Sequence, residues 1–411
     1  MNRPASGWIV AATLGGAALA LAGDWPQWLG PNRNGSSPET GLLAAWPAEG
    51  PKVLWKVAGG EGCSSVVVAG GRAYTLVQRG GDELALALDA ATGKEIWKTR
   101  CGPAYRNRYG DGPRSTPAID GTRLFVQSVT GPLLCLETET GKIVWQRDIL
   151  KEFEAENITW GLSASPLVEG ELVLAIPGGK GAGVAAFDKA TGKLAWKTGD
   201  DRAAYASPIA VTVGGERQAV FFTASGLLAV RPATGKELWR IAWTTEDDCN
   251  ICTPLLIEDQ LFVSSIDNVG CALYRLKEAT PPTPPAAIWE SRGAKSVMQN
   301  YWATSVVHGQ HLYGLSGETG VVNLRCLEWA TGQLVWSKDR FGKGTITLAD
   351  RHLYILTKPG ELVVAAASAK GYEEKARLKI MGDNRTAPTI ADKKLYLRDR
   401  KNIVCLDLAR R

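Results

Sequence analysis

Aromatic, cationic and carboxylate side chains recur in this sequence just ahead of a repeated Ser/Thr-Pro pair or its counterpart. Glu61 comes before Ser65, Asp111 and Arg114 before Thr116-Pro117, and Trp160 before Ser165-Pro166. Tyr205 comes before Ser207-Pro208, Asp248 before Thr253-Pro254, Asn300 and Trp302 before Thr304, Lys343 before Ile346, and Asp383 with Arg385 before Ala387-Pro388. Brought together, such a set suits a planar, anionic ligand. Arginine pairs carboxylates bidentately, tryptophan stacks on a ring, and Asp or Asn oxygens hold a hard cation such as Ca²⁺. Kept in separate loops, the same residues would only hydrate a polar channel mouth and pair with one another.

Cys249-Asn-Ile-Cys252 has the spacing of a redox pair or half a zinc site. No second C-x-x-C or histidine pair completes a zinc set, so packing residues and a local disulfide stand beside the redox reading. The chain has 3 histidines, His308, His311 and His352, in Val307-His-Gly-Gln-His-Leu312 and Asp350-Arg-His-Leu353. Both stretches align with hairpin turns of other units. A Ser-His-Asp triad or a histidine metal site is therefore not expected.

The elements that must carry these loops come from a repeat. Ala91-Thr-Gly-Lys-Glu-Ile-Trp97 returns as 139–145, 190–196, 233–239 and 330–336, each with Thr-Gly at its second and third positions and Trp at its last. Trp55 and Trp289 fit degenerate copies, giving Trp spacings of 42, 48, 51, 43, 50 and 47. That period belongs to a four-stranded propeller blade. These seven Trp are expected to dock one blade on the next. The Ser/Thr-Pro pair begins an inner strand, where proline is tolerated as first residue. A turn such as Asp120-Gly121 leads to a second strand, and a third ends in an acidic residue, as in Leu86-Ala-Leu-Asp89. The Thr-Gly pair then turns into an outer strand bearing the Trp.

Eight such units are counted. The eighth ends after three strands near Leu408, while Val53-Leu-Trp-Lys-Val57 has the outer-strand pattern with no three strands ahead of it. The expected fold is all-β: a single eight-bladed β-propeller of four-stranded blades, its ring closed by the N-terminal outer strand pairing with the C-terminal blade. Two units depart from the pattern: Thr280-Pro-Pro-Thr-Pro-Pro285 replaces one Thr-Gly turn, and 370–376 leads into an outer strand without Trp.

Composition agrees. There are 46 glycines in 411 residues, above the roughly 7% of an ordinary chain, and 45% hydrophobic residues, enough for a core. Long helices, coiled coils and disorder are excluded. The net charge of +5 is spread along the chain without a basic block, which argues against nucleic-acid binding. Residues 1–22 hold Arg3, an apolar stretch and Ala20-x-Ala22, the pattern of a secretory signal peptide. The expected organisation is a signal peptide over 1–22, a Pro/Gly-rich lead-in over 23–52 and the propeller over 53–411, in a periplasmic or secreted protein cleaved near Ala22. Membrane association would follow only if the first segment were retained.

The repeat Ala-Thr-Gly-Lys-x-x-Trp, preceded by Leu-x-Ala-Leu-Asp, resembles the tryptophan-docking motif of the pyrroloquinoline quinone (PQQ) propeller superfamily. That superfamily includes PQQ-dependent alcohol and sugar dehydrogenases and a non-catalytic BamB-like scaffold of outer-membrane assembly. The short insertions are similar to the scaffold branch. Asp24-Trp-Pro-Gln-Trp28 with Asn32-Arg-Asn-Gly35 is similar to secreted PQQ-like propellers and to the start of quinoprotein dehydrogenases. The resemblance implies a monomeric binding or interaction module that meets a protein partner or small molecule at the propeller face. The alternative it implies is a PQQ- and Ca²⁺-dependent dehydrogenase with Arg114, Trp160, Asp248, Trp302, Lys343 and Asp383 as cofactor or metal contacts. The adjacent cysteine pair typical of quinoprotein alcohol dehydrogenases is missing from this sequence.

Overall fold

A computed structural model describes residues 23–277, 283–317 and 320–410. Residues 1–22, on which the signal-peptide reading falls, lie outside the described residues, as does the start of the Pro-rich run. Among the described residues, 32 strands form eight four-stranded antiparallel sheets, the blades of one ring. Blade 1 comprises β-strands Val67–Ala69, Arg72–Arg79, Asp82–Asp89 and Glu95–Pro103. Blades 2 to 7 occupy 118–148, 167–198, 209–242, 255–292, 306–338 and 344–379. Blade 8 takes Thr389–Ala391, Lys394–Arg398 and Asn402–Asp407, and its outer strand is Val53–Ala58 from the other end of the chain, with Trp55 opposite Cys405. The closure expected from the unfinished eighth unit is the closure the structure has.

The repeated phrase is a joint between blades. Trp97, on the outer strand of blade 1, donates its indole N–H to the Thr138 carbonyl of blade 2 at 3.0 Å, and its ring lies on Gly141. Gly141 has φ +72°, and a Cβ there would sit 2.5 Å from the ring. Glycine is required twice over, for its left-handed backbone and for its bare surface. Trp55, Trp145, Trp196 and Trp289 repeat the contact, donating to the carbonyls of Ala90, Lys189, Pro232 and Trp329. The acidic residue and the threonine of the motif hold the turn in shape: Asp89 Oδ1 accepts from the amide and hydroxyl of Thr92, each at 2.8 Å. Opposite the Trp on the third strand stands a small residue, Ala87, Cys135, Cys326 or Cys405, which leaves room for the indole. These three cysteines are buried as compact apolar groups.

The two irregular units are explained by the same joint. Trp239 of blade 4 carries the docking motif and belongs to one apolar cluster with Leu261, Tyr274 and Leu276 of blade 5, but its N–H goes elsewhere. Blade 5 has the Pro-rich run where the receiving Thr-Gly turn would be. Trp239, 1% exposed, donates to Gln218 Oε1 of its own blade at 2.8 Å. The outer strand of blade 7, Glu374–Lys379, lacks a Trp and faces blade 8. Blade 8 has no turn from third to fourth strand, because its fourth strand comes from the N-terminal side.

A second ring of bonds circles the axis. The Ser/Thr hydroxyl at the start of each of several inner strands accepts an amide from the blade before it: Ser65 N donates to Thr116 Oγ1, Thr116 N to Ser165 Oγ, Ser165 N to Ser207 Oγ, and Ala387 N to Ser65 Oγ. The hydroxyl thus satisfies a buried amide that a small apolar residue would leave orphaned.

Residues 23–44 form a strap across the face bearing the first hairpin turns. Trp25 pairs with Val68 of blade 1, Pro26 O accepts from Ile119 of blade 2, and Trp28 Nε1 donates to Thr253 Oγ1 of blade 5. Gly35 packs on Val306 of blade 6 and bonds Leu348 of blade 7, and Leu43 N donates to Leu408 O of blade 8. Arg33, 3% exposed, donates to Gln27 Oε1 and to the Pro208 and Pro166 carbonyls of blades 4 and 3. Burial lowers its pKa to about 9. The strap therefore meets all eight blades and closes that end of the channel.

The joint makes a controlled prediction. Gly170 has φ +58° and open space where a Cβ would stand, whereas Gly141 carries Trp97. Gly170→Ala should cost the left-handed strain alone, roughly 1 kcal/mol. Gly141→Ala should add overpacking of about 1–3 kcal/mol. Calorimetric melting should show the clearly lower Tm for Gly141→Ala; equal Tm values would contradict the joint.

Candidate functional site

Antiparallel alternation sends two kinds of connection to the face opposite the strap: the inlet loops from each outer strand to the next inner strand, and the turns between second and third strands. They surround a central cavity of about 610 Å³. Of the residues singled out from sequence, Arg114, Trp160, Tyr205, Cys249, Trp302, Lys343 and Arg385 line it together.

One wall is aromatic. Trp160 and Tyr205 have ring centroids 5.3 Å apart, and Tyr109 meets Trp160 edge-on at 5.8 Å and 85°. Burial pushes the Tyr205 hydroxyl well above its ordinary range. Across the cavity, Trp302 lies 4.5 Å from Tyr301, with Lys343 Nζ 5.3 Å from its centroid and the Arg385 guanidinium carbon 5.5 Å away. Cations on ring faces make this wall a positively charged aromatic surface, and Glu246, Asp247 and Asp267 put carboxylates on the same lining. Arg114 does a different job. It donates to the Gly110, Gly112 and Trp160 carbonyls at 2.5, 2.9 and 3.2 Å, so its fork braces two inlet loops rather than facing a ligand.

The remaining candidates stand off the cavity wall, each engaged elsewhere. Glu61 pairs with Arg400 at 3.3 Å, Asp248 with Arg202 at 2.9 Å and Asp383 with Lys358 at 3.5 Å. Asp111 Oδ1 accepts the Asn107 amide at 3.0 Å. Asn300 is 2% exposed and joins Leu315 O to the Ser305 hydroxyl, a core bracket. Among the described residues no three His, Cys, Asp or Glu gather as a metal site. Calcium wants six to eight oxygens around one point, and these carboxylates sit in separate loops with partners of their own. The residues present do not fit that ion.

Cys252 is buried, and its thiol donates to the Tyr301 and Ala303 carbonyls at 3.0 and 3.4 Å, toward blade 6 and not toward Cys249. Desolvation pushes its pKa far up, the state of an unreactive thiol. The histidines flank hairpin turns: His308 pairs with His311, and His352 opens its strand.

Several lining residues carry no signal in the repeat. Trp28 reaches the cavity floor from the strap, and Tyr109 shares the loop of Asp111. Asp267 and Lys358 come from turns between second and third strands. The last two were legible in principle, because strand alternation places those turns on the inlet face.

Behind the aromatic wall lies Glu83, fully buried, whose Oε2 accepts from Ser128 Oγ at 2.9 Å and Val129 N at 3.2 Å. The Val129 carbonyl in turn accepts from Asn157 and Leu162 on either side of Trp160. Desolvation raises the Glu83 pKa from 4.5 to about 7, against the pull of these donors.

A family model described as outer membrane protein assembly factor BamB matches residues 5–100, 81–323 and 318–408. Outer membrane protein assembly factor BamB of Yersinia pestis is 24% identical over 324 residues, 74% of this chain and 76% of that protein. Quinohemoprotein alcohol dehydrogenase ADH IIB of Pseudomonas putida is 31% identical over 118 residues, 27% of this chain, and the match spans only 17% of that enzyme's length. Among solved structures, quinohemoprotein alcohol dehydrogenase from Comamonas testosteroni superposes with TM-score 0.71 at 13% identity, covering 96% of this chain and 82% of that one. BamB from Moraxella catarrhalis does so with TM-score 0.61 at 12% identity, covering 88% and 98%. At such identities the structural likeness speaks for the fold.

Glu83 sets a pH dependence. Between about pH 4.5 and 7 the folded chain holds a proton that the unfolded chain has lost, so stability falls as pH rises through that window and levels off above it. The size is about 3 kcal/mol at ~1.4 kcal/mol per pKa unit. Glu83→Gln should flatten the decline in a series of melts across pH 4.5 to 8; an unchanged slope would contradict the assignment.

Proposed function

Since the chain belongs to the PQQ-like propeller family described as outer membrane protein assembly factor BamB, we propose that it is an extracytoplasmic binding and interaction module, with the central cavity as its binding site. The observation that carries this reading is the division of labour at the mouth. Glu246, Asp247 and Asp267 share the cavity lining with aromatic faces and the cations Lys343 and Arg385, while Asp111, Asp248 and Asp383 are drawn off into separate pairings. The aromatic faces and the cations are the groups for holding a planar, anionic ligand or an acidic, aromatic segment of a protein partner. They are not a converged acid, base or metal set. The location outside the cytoplasm is supported by the signal-peptide pattern of residues 1–22 and by relatives that are outer membrane assembly factors.

A PQQ-dependent dehydrogenase is the reading to exclude by experiment. When bound, PQQ would supply the oxidising quinone, and Trp160, Trp302, Lys343 and Arg385 are the side chains placed to stack on it and neutralise its carboxylates. The test is to add PQQ to purified protein with and without Ca²⁺, following Tm and the reduction of an acceptor dye across a panel of alcohols and sugars. The expected outcome is a rise in Tm that does not need Ca²⁺, that Trp302→Ala and Lys343→Ala each diminish, and that comes without dye reduction. Ligand at a hundredfold excess over Kd stabilises by about 2.7 kcal/mol. Dye reduction requiring both PQQ and Ca²⁺ would overturn the module reading.

A further inference from the structure

We propose that residues 104–113 form a gate over the cavity mouth, latched by Arg385. This rests on the cavity being the binding site and concerns how a ligand reaches it. The segment joins the outer strand Glu95–Pro103 of blade 1 to the inner strand of blade 2, but it does not take the short way. It is pinched at its base, where Gly112 N donates to Tyr105 O at 3.0 Å, and its tip leans over the mouth. The base is anchored to the scaffold: Ala104 N donates to Gly81 O and Tyr105 N to Gln78 Oε1, while Pro113 O accepts from Cys63 N.

Inside the tip, Asn107 organises a compact knot. Its amide donates to Asp111 Oδ1, its Oδ1 accepts from Tyr109 N, and its carbonyl accepts from Gly110 N. A knot on a pinched base moves as one piece. Gly110 and Gly112, with φ +135° and +81°, stand at the junction, where a side-chain-bearing residue would be strained.

Arg114, just past the base, braces the segment by donating to the Gly110, Asp111 and Gly112 carbonyls and ties it to Trp160 O of the next loop; further contacts fasten the tip to the mouth. The Arg385 guanidinium, from the inlet loop of blade 8, donates to the Tyr109 carbonyl. Asn107 Nδ2 donates to Thr159 O at 3.2 Å, and the Tyr109 ring rests edge-on against Trp160. Tyr109 is 44% exposed and at the same time lines the cavity, the position of a lid residue with one side in solvent. Arg385 also sits over the Trp302 ring on the cavity wall. One guanidinium therefore serves both the gate and the binding surface. A neutral carbonyl is a weaker acceptor for it than a carboxylate, so an anionic ligand entering the mouth competes with Tyr109 O for Arg385 and releases the latch. Arg106 and Arg108 on the tip draw such a ligand toward it.

Cys63 supplies an internal reporter. It lines the cavity and is partly accessible, whereas the other seven cysteines are buried. The rate at which neutral N-ethylmaleimide labels Cys63 in the full-length folded protein, located by peptide mass mapping, measures how often the gate stands open. Arg385→Gln and Asn107→Ala should each raise that rate by about 5- to 10-fold, the scale of losing one hydrogen bond. Glu246→Gln, which alters the cavity wall from the blade 5 inlet without touching the tip or Arg385, should leave it unchanged. Equal rates in all four proteins would overturn the gate, and so would acceleration by Glu246→Gln as large as by the other two. If Arg385→Gln lowers Tm enough to loosen the whole ring, the charge-neutral Asn107→Ala decides alone. The outcome is separable from the binding-site reading: protection of Cys63 by PQQ tests occupancy of the cavity, and the variant rates without ligand test the gate.

Discussion

The architecture depends on one contact, an indole lying on the glycine of the neighbouring blade and donating its N–H to a carbonyl in the same turn. Each such joint buries a large apolar surface and satisfies a polar atom at the same time, and neither half works without the other. A blade alone has an apolar face with nothing to cover it. Joined blade to blade, the faces cover one another, and the ring has no free end because Trp55, supplied from the N-terminal side, docks blade 8 onto blade 1. Arg398 locks the same seam from the inside, giving its N–H groups to the carbonyls of Ser64, Leu76 and Gly60 in blade 1.

A closed ring of this kind fixes where eight inlet loops converge and leaves their composition open, which is why the fold does not by itself name an activity. The loops decide. Here aromatic walls, cations and the acidic Glu246, Asp247 and Asp267 surround a floor provided by Trp28, while Glu61, Asp248 and Asp383 are spent on salt bridges between neighbouring loops. Arg114 shows why residue type alone misleads. A fork suited to a carboxylate is engaged by four backbone carbonyls and holds the Trp160 loop in place.

What the sequence made legible was local or periodic. The Thr-Gly turn, the Trp and the acidic residue lie within a few positions of one another, so the blade, the count of eight and the closing strand could all be read. The inlet loops could be placed as well, since each precedes a Ser/Thr-Pro pair or its counterpart. The rest was set by partners far apart in the chain. Trp28 finds Thr253 across the ring, Arg385 finds Tyr109, and Glu61 finds Arg400, all with no motif to announce them. Trp239 has the motif and still gives its indole N–H to Gln218 of its own blade, a partner that no motif announces.

Hydrogen exchange resolved by peptide mass spectrometry tests most directly whether a rigid, seam-closed ring carries a movable mouth. Such a ring should show its slowest exchange at the inner-strand amides held by Ser/Thr hydroxyls and equally slow exchange at the closing pair Val53–Ala58 and Asn402–Asp407, with residues 104–113 exchanging much faster. A closing strand that exchanges like a frayed terminus, or a 104–113 segment protected as well as the inner ring, would contradict it.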